Sequence, residues 1–115
     1  MTIRRQLAQL RPSSTSAEQL FTSTQNKPWT IDLIILTNNS TGAVDVTIYH
    51  DDDGSTYDDT NCVLSTVSLH KGQTMEFTPS EGISGHNRGS SVGVKVSSAD
   101  TIAFTAYGYE EGGRR

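Results

Sequence analysis

The sequence predicts an all-β fold: an antiparallel β-sandwich or small jelly-roll-like barrel of about seven strands, preceded by a short N-terminal helical arm. Three observations predict it. Short runs rich in Val, Ile, Thr and aromatic residues alternate apolar with polar side chains. Clusters of Gly, Asn, Asp, Ser and Pro separate them at intervals of roughly 8–12 residues. No strand–helix alternation and no glycine-rich dinucleotide fingerprint interrupts the pattern.

Size and composition narrow the function. The 115 residues suffice for one domain. The hydrophobic 33% and the ten glycines together still fall below the roughly 45–50% usual when Gly is counted in, so some burial is expected from a partner subunit. The net charge of −4 argues against general nucleic-acid binding, which leaves a basic footprint. A single cysteine, Cys62, excludes a disulfide framework and a cysteine-rich zinc site. The amphipathic start lacks an apolar h-region, so neither a secretory precursor nor a membrane protein is expected.

Taken in order, residues 1–16 read as an arm. Ile3, Leu7 and Leu10 fall at i, i+4 and i+7, which predicts a short helix with Thr2 as its cap and Pro12 as its stop. So short a helix is marginal alone and needs a surface, either its own domain or a neighbour. Arg4, Arg5 and Arg11 supply positive charge for an acidic partner, although a solvated charged face fits as well. A Ser-rich linker follows. The sandwich is then read over residues 17–111, with residues 112–115 as a flexible tail. Gln19–Thr24 is a short polar strand. Trp29, Ile31, Leu33 and Ile35 alternate on one face of the next strand, with Ile34 and Leu36 on the other, which marks a central strand. Asn38–Gly42 turns the chain. In Ala43–His50, Val44, Val46 and Ile48 share one face, and Asp45, Thr47 and Tyr49 the other. An acidic loop, residues 51–60, leads to a strand over Cys62–Val67. After the turn at residues 70–73 comes a strand over Thr74–Thr78, then a polar loop at residues 79–91. Val92, Val94 and Val96 alternate in the next strand, where Gly93 suggests a close backbone approach. The last strand, Thr101–Glu110, places Ile102, Phe104, Ala106 and Gly108 on one face and Ala103, Thr105, Tyr107 and Tyr109 on the other.

Candidate chemistry is sparse. Asp51, Asp52, Asp53, Asp58 and Asp59 crowd one loop, and calcium favours several oxygen ligands. The spacing fails the EF-hand pattern, because Gly54 follows three consecutive Asp; a solvated turn that guards a sheet edge explains it more simply. His50, His70 and His86 lie in or beside loops, with no helical pairing and no nucleophile motif. Cys62 reads as a small buried hydrophobe. No catalytic residue, metal site or cofactor is assigned, and no enzyme is expected. Tyr107 and Tyr109, with Tyr49 placed near them, and the second apolar face at Ile34 and Leu36 are the candidate oligomer interface, since aromatic residues are enriched in interface cores.

The order of features resembles small β-sandwich virion proteins of tailed bacteriophages: capsid cement (decoration) proteins and small tail proteins. The residues that carry the resemblance are the leader ending Gln9-Leu10-Arg11-Pro12, then Gln19-Leu20-Phe21-Thr22, WTIDLIILTNNS from Trp29, VTIYHDDDGSTYD from Val46, VSLHKGQTMEF from Val67, and VKVSSADTIAFTAYGYEE from Val94. They span nearly the whole chain. The resemblance implies a non-enzymatic homotrimer on the outer surface of a phage head, bridging major capsid protein subunits and stiffening the shell, with neither nucleic acid nor membrane as partner. It further implies that Ile3, Leu7 and Leu10 dock on the capsid together with Arg4, Arg5 and Arg11. The segment at residues 79–91 departs from the short forms of the family and leaves a tail, baseplate or fibre-associated protein as the alternative. A carbohydrate- or calcium-binding module, built on the acidic loop and Tyr57, is a third reading.

Overall fold

The computed structural model describes residues 4–22, 27–80, 82–85 and 89–110. Nine strands occur among them: β1 (Arg5–Leu10), β2 (Glu18–Thr22), β3 (Trp29–Asn38), β4 (Val44–Asp51), β5 (Cys62–Leu69), β6 (Thr74–Phe77), β7 (Ile83–Gly85), β8 (Ser91–Val96) and β9 (Ile102–Glu110). They form two antiparallel sheets packed face to face. The first has the order β1-β9-β3-β6, with β7 also paired to β3, and the second the order β2-β8-β4-β5. The pairing is nested. β4 pairs β5, β3 pairs β6, β2 pairs β8 and β1 pairs β9, so the chain folds as one long hairpin rolled across two layers.

The core lies between the layers. From the first sheet come Ile31, Ile34, Leu36, Ile102 and Phe104, and from the second Val46, Ile48, Leu69, Val92 and Val94, all fully buried. Each such side chain removed from water contributes about 1.5–3 kcal/mol. The alternation read in β4, β8 and β9 matches their inward faces, because the strand period of two leaves one face for the core.

Four expectations are corrected. The N-terminal segment is strand β1, and no helix is present among the described residues. Arg5, Gln6, Ala8, Gln9 and Leu10 gain backbone partners along β9, which a short isolated helix could not match. Ile3 itself lies outside the described residues. Leu7, Ala8 and Leu10 pack against the core, with Leu7 the extra residue of a bulge opposite β9. That bulge lets Leu7 and Leu10, three residues apart, both pack against the core. Second, a short strand, β7, lies within the segment read as a loop and pairs with the start of β3. Third, Trp29 and Ile31 do not share a face with Leu33 and Ile35. The pairing of β3 to β9 slips between Ile31 and Leu33, so the inward series runs Trp29, Ile31, then Ile34, Leu36, Asn38. One extra residue in a strand exchanges its faces from there on. Fourth, Ile34 and Leu36 are fully buried inside the chain's own core and offer nothing to a second subunit.

Loop ends are fixed by polar side chains. Asn38, fully buried, donates from Nδ2 to the carbonyls of Gly42 (2.9 Å) and Leu69 (3.0 Å), while its Oδ1 accepts from the amide (2.9 Å) and hydroxyl (2.7 Å) of Ser40. A buried amide so fully satisfied pins the β3–β4 turn to the end of β5.

Candidate functional site

The outward face of the first sheet is organised around β9. The bulges in β1 and β3 lie at one level on either side of it, each opposite the Ala106–Gly108 segment. Arg4 and Asp32 therefore meet across β9. The guanidinium donates from Nε and Nη2 to the carboxylate at 2.9–3.1 Å and lies 5.7 Å from the centre of the Tyr107 ring, a bidentate pair stacked on an aromatic face. Close approach at this level requires Gly108. A Cβ there would collide with the Thr30 carbonyl oxygen and come within 2.9 Å of Ile31 Cα. Beside the clamp, register places Leu33 next to Tyr107, Ile35 next to Thr105, and Thr30 next to Tyr109. Leu33, Ile35 and Tyr107 are half-buried and Tyr109 is exposed. The face thus carries a short apolar strip beside the Arg4–Asp32 pair, bordered by Thr105, Glu76 and the Thr37–Thr74 hydroxyl pair.

The arginines assigned to a capsid contact are engaged within the chain: Arg4 with Asp32, Arg5 with Glu110 at 3.3 Å, and Arg11 with the Asp100 carbonyl at 2.7 Å. Leu7 and Leu10 are turned to the core. Of the residues proposed to dock an arm, these five make contacts within the chain that fasten its first strand, and Ile3 lies outside the described residues.

The outward face of the second sheet is polar and carries the acidic loop. Tyr57 anchors that loop. Its ring lies over Gly93, where a Cβ would stand 2.6 Å from the ring, and 5.8 Å from the Tyr49 ring. Its hydroxyl pairs with Ser91 Oγ at 2.7 Å, and Ser91 in turn donates to the Gly54 carbonyl. The sequence suggests a close backbone approach at Gly93, and what lies against it is instead a side chain, the loop's own tyrosine. Tyr49, predicted to sit near Tyr107 and Tyr109, lies in the other sheet and is covered by this loop. Burial pushes its hydroxyl above the usual phenol range, with Cys62 and Asp59 adding to the rise.

The loop carboxylates act as backbone caps. Asp51 accepts the amides of Thr56 (2.7 Å) and Asp53 (3.3 Å), and Asp58 accepts the amide (2.9 Å) and hydroxyl of Thr60. These hydrogen bonds lower both carboxyl pKa values. Asn61 closes the loop: its Oδ1 accepts from Asp58, its Nδ2 donates to the Thr56 carbonyl, and its own carbonyl accepts from His50. No group of three or more His, Cys, Asp or Glu suited to a metal ion occurs among the described residues.

Beyond the loop, a depression of about 270 Å³ opens on the same face. Its lining includes Asp45, Thr47, Tyr49, Asp59, Thr66 and Lys95. It follows from β5: between Cys62 and Val67 this strand carries two irregularities opposite β4, one between Val46 and Ile48, the other between Ile48 and Tyr49. Bulges bend a strand away from its partner. Cys62, read as a buried hydrophobe, is half-exposed and lines this depression. Sequence reasoning missed the site because bulges in β5 leave no mark in its Ser- and Thr-rich run.

At one end of the core, Phe21, Trp29 and His50 form a ladder of edge-on contacts at 5.1 and 5.8 Å. His50 Nε2 and Ser90 Oγ are buried there without a hydrogen-bond partner among the described residues. Burial lowers the His50 pKa against the opposing pull of Asp52 and Asp51. His70 is exposed at the β5–β6 turn, and His86 lies outside the described residues. With the geometry in place, comparison with protein-family models and with curated proteins returned no match.

Proposed function

We propose that this chain is a non-enzymatic structural protein of a tailed-phage virion, a head-decoration (cement) protein that binds the outer surface of the major capsid protein shell and stabilises it, as a homotrimer and without a cofactor. The sequence resemblance motivates the virion context. The observation that carries the binding mode is the apolar strip of Leu33, Ile35, Tyr107 and Tyr109 on the outward face of the first sheet. The nested order β1-β9-β3-β6 over β2-β8-β4-β5 also supports it, since it is the order of a jelly roll, an architecture found in viral capsid and lectin domains. Fold alone assigns no function; the half-buried apolar strip, with Tyr109 exposed at its end, supplies the adhesive surface. Each contact need not be strong, because many copies on one shell gain avidity.

The test is co-sedimentation of the purified protein with undecorated phage heads, alongside Leu33→Glu and Tyr109→Glu. Wild-type protein should pellet with heads in hundreds of copies. The two variants should keep the wild-type melting temperature and remain in the supernatant. Unimpaired pelleting of both variants would remove the strip from the reading. Wild-type binding confined to tails, at a few copies per particle, would replace cement protein by tail protein.

A further inference from the structure

We propose that the depression on the outward face of the second sheet is a binding site for a single hexopyranose ring. The site stands on its own geometry and does not depend on the virion reading. Its volume of about 270 Å³ lies just below the roughly 300–1,000 Å³ of pockets for drug-sized molecules, which suits one small ring. Its lining is mixed in a specific way. Asp45 and Asp59 only accept hydrogen bonds, Lys95 only donates, and the hydroxyls of Thr47 and Thr66 do both. A ligand that satisfies all of them must carry donors and acceptors on neighbouring atoms, as the vicinal hydroxyls of a sugar do. Two carboxylates against one ammonium disfavour an anion. The ammonium disfavours a bare cation, and the described residues hold no metal-binding group.

The site is held in shape before any ligand arrives. Asp45 and Ser97 are tied twice, amide to Ser97 Oγ at 2.9 Å and Ser97 amide to the Asp45 carbonyl at 3.0 Å. Thr47 and Thr66 face each other with hydroxyls 3.4 Å apart. Asp59 comes from the acidic loop, which Asp58, Asn61 and Tyr57 hold down. The loop thus acquires a role its failed calcium spacing left open: it forms one wall of the site. Preorganisation of this kind reduces the ordering cost of binding.

The experiment is an NMR titration of the full-length, 15N-labelled protein. The probes are D-glucose, D-galactose and N-acetyl-D-glucosamine, each as free sugar and as methyl β-glycoside, with glycerol and N-acetyl-lysine amide as controls. At least one sugar should give saturable shifts at the amides of Thr47, Thr66 and Lys95. Lys95→Ala and Asp45→Asn, both at exposed positions, should each weaken that binding by about fivefold or more with the melting temperature unchanged. Binding of the methyl glycosides would support a residue within a glycan chain as the source, and binding of the free sugars alone a free monosaccharide. The proposal is overturned by the absence of saturable shifts with every sugar, by equal shifts with glycerol, by binding that survives both substitutions, or by saturation with N-acetyl-lysine amide only.

Discussion

The two outward faces of this sandwich are made from strands of similar composition, yet they end up as opposites. On the first sheet, two bulges flank β9 and leave an apolar strip under a single Arg4–Asp32 clamp. On the second, irregularities in β5 open a polar depression, and an acidic loop folds back over Tyr49 through Tyr57. The first face leaves Tyr109 uncovered, and the second covers its own tyrosine, Tyr49. Bulges do the shaping in both cases, by changing which side chains point outward rather than which residues are present.

The comparison can be broken most severely at the first sheet. Deleting residues 1–12 removes β1 and strips β9 of a neighbour along its length. The truncated chain should lose cooperative unfolding, as read by circular dichroism in urea; a well-folded truncated protein would restore the view of this segment as an arm. Gly108→Ala comes next. Its Cβ would meet the Thr30 carbonyl, a backbone atom that cannot swing aside, so a loss of about 3 kcal/mol or more is expected, at the upper end for overpacking. Gly93→Ala on the second sheet should cost less, about 1–3 kcal/mol, because the obstacle is the Tyr57 ring and the loop can lift. Faster hydrogen exchange confined to residues 52–61 is the sign that it has done so.

Neighbouring residues on β3 sharpen the contrast further. Ile34 is fully buried and Leu33 half-exposed. Ile34→Ala should cost about 2–5 kcal/mol, whereas Leu33→Ala should stay within about 1 kcal/mol. Equal costs would mean that the outward strip is already packed against something.

Titration gives the smallest and most separable effects. The folded state lowers the His50 pKa, so the unfolded chain binds more protons once pH falls below the ordinary value of 6.5. Stability from this group is full above that pH and declines as pH drops towards the depressed folded value. His50→Gln should flatten the urea midpoint between pH 7 and about 5. Asp51 and Asp58 act in a lower window. Their pKa values fall below 3.8 on folding, so their contribution is present above that value and is lost as pH drops through the depressed ones. Asp51→Asn should therefore alter the acid limb only.

Much of the fold was legible because a strand's period of two is written in its side chains. Val44, Val46 and Ile48, Val92, Val94 and Val96, and Ile102, Phe104 and Ala106 face inward as their alternation requires, and the turn at Asn38–Gly42 falls where its residues place it. Three of the misreadings share one physical cause. At Leu7 and Asp32, and along β5, the backbone gains a residue relative to its partner, and a bulge depends on the strand alongside rather than on the residues that form it. The same holds for the sites. Leu33 and Tyr107, and Thr47 and Lys95, become neighbours only through the register of β3 with β9 and of β4 with β8. The sequence by itself determined an all-β chain, most of its strands and most of the residues of its core, since local periodicity and turn chemistry encode these. Tertiary structure alone decided that the first segment is a strand, which apolar face of β3 is hidden, and what each outward face presents, because these follow from pairing between segments far apart in the chain.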